Sequence, residues 1–389
     1  MHPCIVLRRK LHQIPEISFQ EHDTQKAILS FLSDLPQQRL TIHHWRTGLF
    51  VHLQGTEGQR RWGYRADIDG LPIQEKTNLP FSSQRDGYMH ACGHDFHIAI
   101  ACGLIAAFVE KPIRDHLLVL FQPAEEEGAG ALQMRESEFL SSLPPEAIFA
   151  LHIAPQYPVG TIATRPGTLF AATQPFAIQL RGNSSHASEP HRGNDMVVAA
   201  ASLILQLQTI LSRNIPPGDT ATLCLGQLRA GQSRNVIAET ASLLGTIRSL
   251  SPSTMEHIQQ RIQHLVGGIK HGFSCHAHLD WGTPYASVNN DPTWYTAFKQ
   301  FVQDKTPYSF LPCGPTLAGE DFGFLLQKKR GLMFWLGVDS PYPLHHPALN
   351  PKEEAIPLGI ALLKDFFCWL GDTSGNGENR KIVPPTIPT

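Results

Sequence analysis

Nine consecutive residues, Met89-His90-Ala91-Cys92-Gly93-His94-Asp95-Phe96-His97, contain five groups able to hold a metal or move a proton. A thiolate and an imidazole two residues apart face one point only where the backbone between them bends. Gly93 permits that bend because it has no Cβ. A metal there requires a deprotonated sulfur and a neutral histidine whose second nitrogen is held by another group. The alternative is a buried cysteine among capping and packing histidines, and a short Cys/His cluster alone does not separate the two readings.

The elements that carry the other candidate ligands do separate them. The stretch leaves a loop-like segment, Asn78 to Gly87, and enters an apolar run from Ile98 to Val109 that is expected to be helical. Upstream, Cys4 to Leu35 shows helical spacing interrupted at Pro15-Glu16, and Leu40 to Leu53 alternates like strands. Trp62 to Ala66 is a short strand that empties into Asp67-Ile68-Asp69-Gly70-Leu71-Pro72. His116 to Gln122 is a continuous apolar run, the mark of a strand buried on both faces, and it ends in Pro123-Ala124-Glu125-Glu126-Glu127-Gly128. Adjacent carboxylates just past a buried strand are costly unless a cation shares them. Ala147 to Leu151 ends at His152, and Gly331 to Gly337 is followed by Leu344-His345-His346-Pro347.

Four buried strands thus end in Asp, Glu or His. Strands alternating with helices predict an α/β fold, a mainly parallel sheet with helices on both faces. Such sheets bind ligands beyond the carboxyl ends of their strands. Asp67, Cys92, His94, Glu125, Glu126, His152 and His345 would converge there.

Between Thr173 and Asp280 the texture changes. The expected order is strand (174–180), helix (194–211), two strands (221–228 and 241–248), helix (253–269) and strand (275–281). That is a split βαβ, ferredoxin-like α+β domain inserted at 173–285, and its Ala/Leu/Ile-rich first helix suits dimerisation. The main domain is expected over 1–172 and 286–370. The Gly- and Pro-rich tail, 371–389, reads as disordered.

The bulk composition excludes several classes. Hydrophobic residues make up 42% and charged residues 17%, and the net charge is −2, as in a soluble globular protein with no pull toward nucleic acid or an anionic membrane. The basic N-terminal residues Arg8, Arg9 and Lys10 precede no apolar core, so no signal peptide is expected, and the run Phe96 to Val109 is too short to span a bilayer. Seven scattered cysteines fit free thiols in a reducing cytoplasm.

A metal pair sharing a thiolate or carboxylate would clamp and deprotonate a water. Of two adjacent glutamates, one can hold metal while the other takes the water's proton and passes it to a leaving amine. Gly231-Gln232-Ser233-Arg234-Asn235 lacks the second glycine of a nucleophile elbow, and Gly128-Ala129-Gly130 lacks the rest of a phosphate loop. Cys92 as a nucleophile would leave the neighbouring carboxylates without a use.

From about residue 4 to 370 the chain resembles the di-metal aminoacylase family of amidohydrolases, which includes hippurate hydrolase and auxin-conjugate hydrolases. The blocks are His12-Gln13-Ile14-Pro15-Glu16, Arg65 to Pro72, His90 to His94, Phe121 to Glu126, Gly319-Glu320-Asp321-Phe322 and Leu344-His345-His346-Pro347. Three stretches, Tyr64 to Gly70, Leu151 to Gly160 and Ser340 to His346, are similar to a deacetylase branch that serves amino-acid biosynthesis.

The resemblance implies Cys92, His94, Glu126, His152 and His345 as metal ligands, with Cys92 bridging and His345 used rather than His346. It implies Glu125 as general base and Asp69 as the residue orienting the site. In the inserted domain it implies His186 as a lid histidine that stabilises the oxyanion, reaching a partner subunit's site, and Asn235 and Arg248 as carboxylate binders. The cofactors implied are two divalent metal ions, with zinc, manganese or cobalt all compatible with the donors. The substrate would be a small N-acyl amino acid, and the assembly a homodimer or larger homo-oligomer. The chain departs from the family at Ser184-Ser185-His186, where Gly-Gly-His is usual, and at Glu189, which reads first as a solvated loop charge and second as a group that would favour a substrate with a distal ammonium. Other expectations are a broader N-acyl-amino-acid amidohydrolase, a binding protein without catalysis, and a structural zinc protein with four closed ligands.

Overall fold

The protein, seen in a computed structural model, is described over residues 1–57 and 60–372. It divides into two compact units. The first comprises Met1–Leu169, Val288–Gly314 and the chain from Asp321 onward; the second comprises Phe170–Ser287 and Pro315–Glu320. The second unit is thus wider than 173–285 and takes in a separate piece. The reason is local: the Ala171 N–H donates to the carbonyls of Thr316 (3.1 Å) and Ala318 (3.2 Å).

In chain order the strands of the first unit are β1 (Leu40–Trp45), β2 (Gly48–Leu53), β3 (Arg61–Asp67), β4 (His116–Gln122), β5 (Ala147–Ala154), β6 (Thr161–Thr164) and β7 (Gly167–Phe170). Those of the second are β8 (Ala172–Arg181), β9 (Ala221–Ala230), β10 (Thr240–Ser249) and β11 (His276–Trp281). The chain returns with β12 (Val288–Asn290), which pairs with β7, then β13 (Ser309–Pro312) and β14 (Arg330–Gly337).

The large sheet runs β1-β2-β4-β3-β5-β14-β6-β13. Its centre, β4-β3-β5-β14, is parallel. β2 joins β4 and β6 joins β14 antiparallel, so the sheet expected to be mainly parallel is a mixed sheet with a parallel core. The core strands are buried at nearly every position, as strands covered on both faces must be. Leu117, Val119 and Phe121 of β4 face one side and pack with Trp62, Phe149, Phe334 and the helices Pro3–His12, His22–Ser33, Pro292–Lys305 and Ala355–Asp372. The helix His94–Glu110 runs through the middle of this core, buried almost all round.

Two boundaries differ from expectation in ways that matter. The central helix starts at His94 rather than Ile98, because Gly93 at φ +82° caps it, so His94 and His97 lie in its first turn. A Cβ at Gly93 would also meet Ile153 Cδ1 at 2.1 Å. β5 continues past Leu151 to Ala154, because β14 pairs with it that far, placing His152 inside the strand. The terminal helix runs to Asp372, so the expected tail at 371–389 begins two residues too early; 373–389 lies outside the described residues.

In the second unit, β8, the helix Met196–Arg213, β9, β10, the helix Pro252–Gly272 and β11 follow one another. The antiparallel sheet order is β11-β8-β10-β9, the ferredoxin-like arrangement. Among the described helices Met196–Arg213 alone is long and apolar enough to cross a membrane. Its stripe of Ala199, Leu203, Leu207 and Ile210 is buried instead in this unit's core.

Candidate metal centre

The four parallel core strands end on one edge of the sheet. Asp67 closes β3, Glu125 and Glu126 follow β4, His152 lies near the end of β5, and the loop after β14 brings His345 back. Cys92 and His94 enter from the capped start of the central helix.

The donor atoms cluster in overlapping groups. Those of Cys92, His94 and His152 lie within 4.8 Å of one another, as do those of Cys92, Glu126 and His345, and those of His94, Glu125 and Glu126. Cys92 Sγ is 3.4 Å from His152 Nε2 and 3.3 Å from His345 Nε2. Glu126 Oε1 is 3.4 Å from His345 Nε2 and 3.9 Å from His94 Nε2. The thiol therefore sits between two donor sets, the geometry of a shared ligand.

The imidazoles are set by their other nitrogens. His94 Nδ1–H donates to the backbone carbonyl of Asp69 at 2.9 Å, so Nε2 is the nitrogen that offers a lone pair once the ring is neutral. His152 Nδ1–H donates to the Ile153 carbonyl at 2.8 Å, again leaving Nε2 as the donor atom toward Cys92. His94 Nε2 and Glu126 Oε1 are buried and have no hydrogen-bond partner. Two orphaned buried donors beside a thiol and two more imidazoles fit a pair of cations. His345 is held at φ +63° by its N–H bond to the Ala91 carbonyl (2.8 Å), which ties it to the Cys92 loop. His346 turns away: its ring stacks on Tyr342 at 4.6 Å and its Nδ1 accepts the Ala348 N–H.

Electrostatics agree with this geometry. Burial pushes the Cys92 thiol well above its usual pKa, and the Glu126, Glu125 and Asp67 charges add to it. Burial holds His152 well below the ordinary imidazole value, with His97 beside it acting the same way. Burial alone would lower His94, but the Asp67, Asp69 and Glu126 carboxylates push it up to about 10. Negative charge thus accumulates where a cation would sit.

Around the donors is a shell of which sequence reasoning named only Asp69, and Asp67 as one of the converging residues. Asp69 Oδ2 accepts the Ser18 hydroxyl (2.8 Å) and the Glu126 N–H (3.0 Å), and Ser18 Oγ accepts the Glu127 N–H (3.1 Å). Asp67 is clamped by Arg65 Nη1 (2.6 Å) and His97 Nδ1 (2.5 Å), while Arg65 also binds Gln122 and Asp321. Helical spacing of three from His94 was the available signal for His97. Ser18 had none.

The remaining expected residues belong to the second unit. His186 is exposed, and the segment around it pairs with Asn235 to Ile237. Its Nδ1 lies 2.6 Å from Ser188 Oγ and accepts the Ser188 N–H at 3.2 Å, so the ring proton is on Nε2. Asn235 Oδ1 accepts the Ser233 hydroxyl, leaving Nδ2 as its donor. Arg248 Nη1 donates to the Leu317 carbonyl at 2.8 Å. Glu189 pairs with Arg192 at 3.4 Å on the surface.

The model of peptidase family M20/M25/M40 matches residues 63–368. The N-acetyldiaminopimelate deacetylase of Geobacillus sp. (strain WCH70) is 51% identical over 95% of this chain and 98% of its own. That of Anoxybacillus flavithermus (strain DSM 21510 / WK1) is 52% identical over 96% and 99%. The crystal structure of the Bacillus subtilis YXEP protein, a dinuclear metal binding peptidase from the M20 family, superposes with a TM-score of 0.81 at 32% identity over 95% of this chain and 98% of that one. With this match across most of its length, the chain belongs to peptidase family M20/M25/M40.

Proposed function

We propose that this enzyme removes the acetyl group from N-acetyl-LL-2,6-diaminopimelate, giving LL-2,6-diaminopimelate and acetate for lysine biosynthesis. The observation that carries the chemistry is Cys92, shared between two donor sets with Glu125 beside them. The substrate is supported by relatives of about the same length, named for that deacetylation, at 51% and 52% identity.

Cys92, His94, Glu126, His152 and His345 would hold two divalent ions, zinc, manganese or cobalt. When bound, such ions polarise the amide carbonyl and acidify the attacking water. Glu125 takes the proton from that water as its oxygen adds to the acetyl carbon. It returns the proton to the amide nitrogen as the C–N bond breaks, so acetate and a free amine leave. Asp69 fixes the tautomer of His94 and the backbone of Glu126. His186 donates Nε2–H to the developing oxyanion, and Asn235 and Arg248 bind the substrate carboxylate, for which a guanidinium is suited. The working form is a cytoplasmic homodimer or larger homo-oligomer.

The test is acetate release from N-acetyl-LL-2,6-diaminopimelate beside hippurate and N-acetylmethionine, with metal-stripped enzyme before and after divalent ions are restored. Metal-restored turnover concentrated on the diaminopimelate derivative is expected. Turnover mainly on the other two amides would replace this substrate by the broader N-acyl-amino-acid class.

A further inference from the structure

Glu21 is fully buried at the N-cap of the helix His22–Ser33, a position where a short side-chain oxygen commonly accepts the first amides. It makes no side-chain cap there. Glu16 does that work instead, accepting the N–H groups of Asp23 (2.9 Å) and Thr24 (2.8 Å). The Glu21 carboxylate turns away from its own helix: Oε1 accepts the Ala124 N–H at 2.8 Å and Oε2 accepts the Thr47 hydroxyl at 2.5 Å.

Ala124 is the residue before Glu125, and its φ is +57°. A residue with a Cβ pays an energy penalty in this left-handed region and stays there only where its surroundings hold it. Its carbonyl is held as well, by the Gly130 N–H at 2.9 Å. The Glu126 N–H is fixed by Asp69. Both peptides of Ala124 are therefore pinned, the one before it by a side chain more than a hundred positions away in sequence, and the peptide after Glu125 is pinned by Asp69.

We propose that Glu21 is a positioning residue for the hydrolysis, holding Ala124 in its left-handed conformation and thereby aiming the Glu125 carboxylate. The proposal rests on the reading of Glu125 as the proton carrier. Burial, with the charge of Asp69 added, pushes the Glu21 carboxyl up to about 7, so an acid is kept here against its own solvation. A glutamine preserves the acceptor for Ala124 and, with the Thr47 hydroxyl rotated, the second contact. An alanine strands the Ala124 N–H.

The experiment compares kcat and KM on N-acetyl-LL-2,6-diaminopimelate for Glu21→Gln, Glu21→Ala, Glu21→Ala/Ala124→Gly and Glu125→Gln, with metal content and melting temperature measured for each. Glu21→Ala is expected to lose roughly 10- to 100-fold in kcat with KM within about twofold and metal retained, the scale of a misplaced catalytic group. Glu21→Gln should keep at least about half of kcat. Glycine at 124 adopts positive φ freely, so the double variant should regain about tenfold. Full kcat in Glu21→Ala, or a loss that Ala124→Gly leaves untouched, overturns the proposal. If Glu21→Ala does not fold, Ala124→Val strains the same backbone with Glu21 intact, and full kcat there overturns it equally. Near-normal turnover in Glu125→Gln would instead remove the reading on which it rests.

Discussion

His97 and His152 are joined through one residue. The N–H of Ile153 donates to His97 Nε2 at 3.0 Å, and the carbonyl of the same Ile153 accepts His152 Nδ1–H at 2.8 Å. Because His97 Nε2 accepts, its proton is on Nδ1, aimed at Asp67. The arrangement Arg65–Asp67–His97–Ile153–His152 is thus a directional chain in which each group determines the next, and it ends by leaving His152 Nε2 as the donor atom.

The first prediction concerns that chain. His97→Ala removes the acceptor of Ile153 and loosens the strand segment that sets the His152 ring. The affinity for one of the two metal ions should fall about 10- to 100-fold, the usual effect of losing a ligand's outer partner. A competition titration with a chromophoric chelator measures it. Unchanged affinity for both ions would show that Ile153 holds its place without His97.

The convergence of candidate donors was legible because their chemistry is written in residue type and in position after buried strands. The shell around them was not. Ser18 and Glu21 reach the site by binding backbone groups of residues 124 and 127, and a backbone N–H has no signature in the sequence. The antiparallel direction of β2, and β6 altogether, escaped for a related reason. A buried apolar run such as Gly48–Leu53 reads alike in either direction, and four-residue strands such as Thr161–Thr164 and Ser309–Pro312 are too short to show a period. The second unit was readable because its strands bury one face and its helices carry clear stripes.

Metal loading should release protons. In the metal-free protein Cys92 is a thiol, its pKa raised by burial and three carboxylates, and His94 is a cation, pushed up to about 10. Both must lose a proton to bind. Calorimetry in two buffers of different ionisation enthalpy should show about two protons released at pH 7, with affinity rising as pH rises. The raised His94 also stabilises the metal-free fold below about pH 6.5, and that contribution disappears as pH climbs through about 10. The melting temperature of stripped enzyme should therefore fall over this window, and that of loaded enzyme should not follow it.

Glu21 gives a slope of the same sign at lower pH. Its folded pKa of about 7, raised by burial, exceeds the ordinary 4.5, so the fold holds a proton that the unfolded chain has released. Stability is lost as pH rises from about 4.5 to 7 and is level above that. Glu21→Gln, which cannot ionise, should match the parent near pH 4.5 and exceed it at pH 8 by about 3 kcal/mol at most. Urea unfolding at both values checks this. An equal difference at the two would mean that Glu21 does not titrate in the fold.

A second buried cluster, built around Asp95 next to His94, should set the response to acid. Arg8 Nε lies 2.8 Å from Asp95 Oδ2, and His12 faces Asp95 with Nδ1 at 2.8 Å and Glu75 with Nε2 at 3.3 Å. Burial opposes every charge here, yet Arg8 and His12 hold Asp95 well below the carboxylate range, and His12 with two further hydrogen bonds brings Glu75 down to about 2. Burial and Arg8 lower His12, and the two carboxylates outweigh them and raise it. The depressed carboxylates stabilise the fold above their unfolded values and lose that effect as pH falls through about 2 for Glu75. The raised histidine stabilises it below 6.5 and loses that effect as pH rises past its folded value. Their joint contribution is therefore greatest between about pH 4.5 and 6.5. His12→Gln should cost about 3 kcal/mol in that window, the scale of breaking a buried ion pair, and less at pH 9 or near pH 2. Melting temperatures of both proteins across pH 2 to 9 test it, and a difference independent of pH would mean that His12 is neutral in the fold and acts through its packing alone.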